Sequence, residues 1–410
     1  MKKFAWLCVG LLLFAFYAVA QETEQQGGQE PETVTNIVGT SSEGLTIFKS
    51  GKFALELDGR LQLVWDVYKA NLNPLGSGTE ARRARLAFKP TWGDWTGQFD
   101  VNFAGNAVEI KDFWVAYTGF DHFILKAGNQ KTQWSLEEVT SSRYITFIER
   151  ASLNAFTPDR RVGFSVANWH KNWRIFGGIF GQGVEDVDET GVSEQLGYNF
   201  RLTAAPLLVK DNVIHLGASM AHVRPSAGSD TVKFSSRPES HVTMNKFLNT
   251  GKIGDLRSWD AYGLEFAAVK GPVLLQSEYT WVNVNRLDLI PRVRLSGYYA
   301  YIAWRVTGEN RPYNSEEGEV GWRTIPKNKK LGTIELAARY SNTDMNDTAA
   351  EVFGGKEQNI TFAANWFPYA NLKISLNYIH TINDAFATGD GDFLPNDKFN
   401  TFATAIMFLF

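Results

Sequence analysis

The last twelve residues of the chain, FNTFATAIMFLF, put Phe402, Thr404, Ile406, Phe408 and Phe410 on one face of an extended segment and Ala403, Ala405 and Met407 on the other. A period of two means a strand whose faces meet different surroundings, and that constrains the fold more than any other feature of the chain. The pattern recurs upstream. LKISLNYI sets Leu372, Ile374, Leu376 and Tyr378 against Lys373, Ser375 and Asn377, and TIELAARY sets Ile334, Leu336, Ala338 and Tyr340 against Glu335 and Arg339. YYAYIAWRV and LGYNFRLTA repeat it, with Arg305 and Arg201 on their polar faces. Sixteen such segments can be marked between residues 52 and 410. Most are near the roughly 9–11 residues that a tilted strand needs to cross a bilayer.

Two architectures produce alternation on this scale: a soluble sandwich with one solvated face, and a membrane barrel whose apolar face meets lipid while the polar face lines a lumen. The connections favour the barrel. Those after even-numbered segments are mostly short, such as 169–172, 270–272 and 368–370, while those after odd-numbered segments are often long: 69–79, 130–161, 182–193, 224–257, 342–356 and 381–398. Short turns at one end and long loops at the other are expected of an outer-membrane barrel. Two connections depart from this pattern, 307–331 being long where a turn is expected and 106–109 short where a loop is. Trp92, Trp95, Trp169, Trp173, Trp366, Phe367 and Tyr369 gather at the short-turn end, as an interfacial aromatic girdle would. Closure also removes the open edges that so many strands would leave exposed.

The ends fit export. Lys2 and Lys3, an apolar stretch from Phe4 to Val19 and the Ala18-Val19-Ala20 site read as a signal peptide over residues 1–20. The single cysteine, Cys8, lies inside it, so the mature chain has no disulfide or thiolate metal site. Residues 21–45 hold five acids and no base and read as a mobile acidic leader, with a barrel domain over 46–410. From residue 46 onward 39 Lys+Arg balance 39 Asp+Glu, which removes the basic excess of a nucleic-acid partner. After residue 20 no apolar run is long enough for a membrane helix. H-E-x-x-H, G-x-S-x-G and P-loop patterns are absent, and the polar-face position of His215 suggests a structural or lumen-lining role. An enzyme, a cofactor and a metal centre are therefore not expected.

Several stretches resemble the phosphate-selective porin O and P family: GRLQLVWDVY (59–68), ARRARLAF (81–88), KAGNQKTQWSLEEVTSSRYITFIERASLNAFTPDRRVGF (126–164), GYYAYIAWRVTGENRPYN (297–314) and QNITFAANWFPYANLKISLNYI (358–379) among them, in the family's order. The resemblance implies an all-β, sixteen-stranded transmembrane barrel in a Gram-negative outer membrane. It also implies a homotrimer surrounded by outer-membrane lipid, with small anions such as phosphate diffusing through a lumen narrowed by an inward-folded third loop. A general non-selective porin is the alternative, and a secreted soluble glycan-binding β-protein a more distant one.

Residues 130–161 occupy that third loop position. In SLEE, Ser135 can cap a helix with Glu138 at its third position. SRYITFIERA places Tyr144, Phe147 and Ile148 at helical spacing, which predicts a second helical piece. Guanidinium groups suit phosphate because their fork matches its oxygens and their charge persists at any ordinary pH. The candidate pore-lining and anion-binding residues are Arg60, Arg82, Arg83, Arg85, Lys126, Lys131, Arg143, Arg150, Arg160 and Arg161, with Arg60, Arg82 and Arg83 matched by motif to part of the family's arginine ladder. The loop's five bases face four acids of its own (Glu137, Glu138, Glu149, Asp159), so pairing that pins the loop to the wall competes with anion binding for each of them.

Overall fold

Alternation along the chain becomes an inside and an outside. The computed structural model describes residues 39–40, 44–105, 108–184, 195–225, 230–287, 289–320 and 324–410. Sixteen antiparallel strands close into one barrel. They are β1 (Phe53–Lys69), β2 (Gly78–Trp92), β3 (Trp95–Asn102), β4 (Glu109–Phe120), β5 (Phe123–Gln130), β6 (Arg161–His170), β7 (Trp173–Phe180) and β8 (Leu196–Val209), followed by β9 (Asn212–Arg224), β10 (Leu256–Lys270), β11 (Val273–Arg286), β12 (Val293–Arg305), β13 (Thr333–Asp347), β14 (Val352–Tyr369), β15 (Leu372–Asn383) and β16 (Lys398–Leu409). The expected signal peptide, and all of the expected leader except Gly39, Thr40, Gly44 and Leu45, lie outside the described residues. Leu45–Ser50 forms a short arm paired with the start of β1, from Leu45↔Leu57 to Ser50↔Phe53.

β16 closes on β1, from Asn400↔Lys69 to Leu409↔Arg60. Phe410 extends the seam by exchanging backbone hydrogen bonds with Gly59 in both directions, at 2.9 and 3.1 Å. A Cβ on Gly59 would lie 2.1 Å from the Phe410 ring, so glycine is needed here for the terminal aromatic to lie flat across the closing strand. Leu61, Trp65 and Val67 of β1 and Phe402, Ile406 and Phe408 of β16 point outward and are exposed, whereas Arg60, Gln62 and Asp66 point inward and are buried. This inside-out polarity matches a barrel that crosses lipid and excludes a sandwich with a solvated polar face.

Most of the short-end connections are two-residue turns, with Gly93 and Gly271 taking positive φ where the chain reverses. Trp92, Trp95, Trp366 and Tyr369 stand exposed around that end. The sequence pattern anticipates one inward fold, but three segments enter the lumen. Among the described residues they are loop 131–160, residues 230–255 of loop 225–255, and residues 306–320 and 324–332 of the long turn 306–332, which enters from the opposite end with a small hairpin (Tyr313–Asn314 with Glu319–Val320).

Candidate pore lining

Burial explains why the third loop stays inside a barrel that could otherwise be filled with water. Trp134, Leu136, Phe147, Leu153 and Phe156 of the loop pack with Phe234 and Leu248 of loop 225–255, with Val320 of the inward turn and with Tyr299 and Tyr301 of β12. This apolar cluster lies against β9–β14, so that part of the lumen is filled by protein.

Inside the loop, α1 (Leu136–Val139) begins where the capping pattern places it, with Ser135 Oγ accepting from Glu138 N at 3.2 Å. Its remaining amides find a partner that sequence spacing could not reveal: Glu278 of β11 accepts from Leu136 N at 2.5 Å and Glu137 N at 3.0 Å. Arg150 holds the other end, donating to Glu137 O at 2.8 Å and Thr140 O at 2.9 Å. The second helical piece expected around Tyr144–Ile148 does not form. The wall takes its carbonyls instead, with Lys373 Nζ donating to Ile145 O at 2.7 Å, Asn365 Nδ2 to Thr146 O at 2.8 Å and Arg339 to Glu149 O at 3.2 Å. β-branched Ile145, Thr146 and Ile148 also favour extended backbone. A short 3-10 turn follows at Ser152–Phe156.

The opposite wall, around β1–β5, holds the candidate bases. The register of β1 and β2 shifts between Gln62 and Leu63, where Gln62 faces Arg83 and Leu63 faces Ala81. Arg82 is the extra residue of this bulge, and a bulge re-aims side chains. Consecutive arginines therefore both reach inward to Glu149, Arg82 Nε at 2.6 Å and Arg83 at 3.6 Å. Below them Arg85 and Lys89 follow on the same face of β2, and Arg60 of β1 is the cross-strand partner of Arg85. With about 3.3 Å of rise per residue, Arg83 and Arg85 are about 7 Å apart along the strand and Lys89 about 13 Å further on.

Four ion pairs tie the loop to this wall: Arg143 to both oxygens of Asp58 (2.6 and 2.7 Å), Arg82 and Arg83 to Glu149 (2.6 and 3.6 Å) and Arg160 to Asp112 (3.0 Å). Arg60 donates to Ser142 Oγ at 2.8 Å. In the pairs Arg82–Glu149, Arg85–Asp100, Lys89–Asp58, Lys131–Glu138, Arg143–Asp58 and Arg160–Asp112, the base side chain keeps 13–21 % of its surface and its acid 2–13 %, the base being the more open partner each time. Arg83–Glu149 and Lys111–Glu109 run the other way. Burial pulls the Lys131 ammonium down to about 8 although Glu138 opposes this, and Glu138 is held at about 2, because Arg150 and Lys131 outweigh its burial.

The other expected residues take more local positions. Lys126 points inward over the Trp114 ring, 4.1 Å from its centroid. Arg161 donates to Gly181 O at 3.2 Å and to Gln195, beside the β7–β8 loop. Arg201, Arg305 and Arg339, on polar strand faces, are sealed against carboxylates, Arg201 with Glu265 at 2.8 Å and Arg339 with Glu239 at 2.6 Å. His215 is fully buried and contacts Glu265 at 3.1 Å and Tyr313 at 3.0 Å. Lys89 is absent from the sequence-derived set, although the alternation ARRARLAFK places it on the same face as Arg83 and Arg85. The pinning acids Asp58 and Asp112 had no signal beyond a polar-face position.

Comparison with known proteins agrees with this architecture. The family model described as "Phosphate-selective porin O and P" matches residues 55–410. The chain is 25 % identical to "Porin O" of Pseudomonas aeruginosa, covering 96 % of this chain and 97 % of that protein. It is 30 % identical to an uncharacterized protein of Caulobacter vibrioides, covering 82 % of this chain and 70 % of the relative. Among solved structures it is similar in fold to OmpT of Vibrio cholerae (TM-score 0.56, 10 % identity, 88 % of this chain and 99 % of that one). It is also similar to an anion-selective porin from Comamonas acidovorans (TM-score 0.55, 12 % identity, 87 % and 100 %).

Proposed function

This chain belongs to the phosphate-selective porin O and P family and is an outer-membrane porin, and from that premise we propose that it passes small hydrophilic anions, phosphate among them, along the base-rich side of its lumen. The observation that carries this reading is the unequal exposure within the ion pairs around β1–β5. The acids turn into protein while Arg82, Arg85, Lys89, Lys131, Arg143 and Arg160 keep part of their surface open. A permeating ion meets this as a positive lane even though the formal charges nearly balance. Because each of these six bases already has a carboxylate partner, an anion is attracted without being trapped, as conduction requires. Arg150, with its donors committed to the α1 carbonyls, holds the loop in shape, and Lys126 and Arg161 line the two ends of the path. Permeation is passive, without covalent chemistry or a cofactor, and the working assembly is a homotrimer in outer-membrane lipid, as the resemblance implies. The mature chain begins after residue 20.

The test is solute flux into proteoliposomes containing the full mature chain. Phosphate enters faster than a neutral sugar of similar size, and a similarly sized organic cation enters more slowly than either. Equal rates for all three would leave a general porin and overturn the anion reading.

A further inference from the structure

The outward face of the barrel is not uniform around its loop-side rim. At β3, β4 and β6–β8 the outward positions near that rim are apolar, with Phe103, Val108, Phe164, Ile179 and Leu196 all exposed. On β9–β12 the same height carries Arg224 at the end of β9, Arg257 at the β10 bulge and Arg292 and Arg294 at the start of β12, also exposed. One or two rungs closer to the membrane centre lie the aromatic side chains Tyr262, Trp281, Tyr279 and Tyr298, with Tyr262 stacked on Trp281 at 5.1 Å. Outward aromatic side chains mark the membrane interface, so the four arginines stand at the level of the headgroups. Among the described residues none of the four takes part in an ion pair.

The acids nearby do not cancel them. Asp260, beside Asn283 and Arg294 in the sheet register, is held by His222 at 2.6 Å and Asn285 at 2.7 Å. Asp347 accepts from the Arg294 and Ala350 amides. Asp230 and Asp255 are exposed in the adjoining loop. At about 4.8 Å per strand, Arg224 on β9 and Arg294 on β12 are about 14 Å apart, wide enough to engage more than one phosphate.

We propose that the outward rim of β9–β12, through Arg224, Arg257, Arg292 and Arg294, binds the phosphate groups of an anionic glycolipid in the outer leaflet. Arginine matches phosphate geometrically and stays charged, and basic side chains just outside an aromatic belt attract anionic lipid headgroups. The site lies on the lipid side of the wall and is independent of the lumen, so it stands or falls separately from the permeation reading.

The test measures the temperature at which the detergent-solubilised full mature chain loses its folded electrophoretic mobility. It is run with a bisphosphorylated acyl disaccharide, with the same glycolipid stripped of phosphate, and with inorganic phosphate at matched concentration. Only the phosphorylated glycolipid raises the midpoint of the wild type. The variant R224Q/R257Q/R292Q/R294Q loses that rise and retains the glycolipid at least about tenfold more weakly, a change of about 1.4 kcal/mol, while its conductance stays that of the wild type. The corresponding Arg→Lys variant keeps most of the rise, and the wild-type arms decide the question even if the glutamine variant folds poorly. A wild-type midpoint that ignores the glycolipid, that responds equally to the dephosphorylated form or to inorganic phosphate, or that is matched by the glutamine variant overturns the proposal.

Discussion

Single residues in this lumen divide by what their charge faces. Arg201, Arg305 and Arg339 are sealed against carboxylates and act as structural braces, because a carboxylate partner offsets the cost of burying a guanidinium. Glu319, on the inward hairpin between β12 and β13, is the opposite case. It is buried beside Glu317, and burial first, then that neighbouring charge, push its carboxyl up to about 8, against the pull of Lys131 and Arg201. The folded chain therefore favours the protonated acid. That contribution to stability is complete below the usual carboxylate range and is lost as pH rises toward 8. Glu319→Gln should flatten the fall in thermal midpoint of the folded band between about pH 5 and 8 relative to wild type. An unchanged pH slope would show that Glu319 is charged or solvated in the fold.

At the level of elements, the third loop is held by two kinds of anchor: the apolar cluster around Trp134 and Phe156, and ion pairs such as Arg143–Asp58 and Arg160–Asp112. Charge-assisted hydrogen bonds of this kind contribute about 1.5–3 kcal/mol each. The double variant Asp58→Asn/Asp112→Asn should leave the barrel folded, because the cluster remains, but free the wall-side half of the loop. Single-channel recordings should show larger and noisier open currents; currents indistinguishable from wild type would mean that these pairs do not position the loop. The capped start of α1 was readable in the sequence because Ser135 and Glu138 interact within one turn. The failure of Tyr144–Ile148 to continue as helix was not, because Lys373, Asn365 and Arg339, which take its carbonyls, lie about 190 to 230 residues away in the chain. The same limit hid the inward course of 306–332 and 225–255. A long connection is visible by its length, but the side of the wall on which it packs depends on partners such as Arg201, which donates to Glu317 O and Gly318 O, and Arg339, which donates to Glu239, and only the closed barrel brings these near.

On the scale of the whole molecule, strand number and strand faces were legible because they depend on local alternation, and the seam between Gly59 and Phe410 then closes the barrel. The bulge that turns both Arg82 and Arg83 inward was not, since simple alternation would send one of them to lipid. The resulting lumen is unequal: protein fills the part against β9–β14, while the part against β1–β5 is lined by bases more open than their acids. The reversal potential of the wild-type channel in a planar bilayer across a tenfold potassium chloride gradient reports this asymmetry. A positive lane makes chloride the more permeant ion, so the current should vanish at a voltage displaced toward the chloride equilibrium potential. A reversal potential at zero or displaced toward the potassium equilibrium potential would mean that the bases along β1–β5 do not form a positive lane.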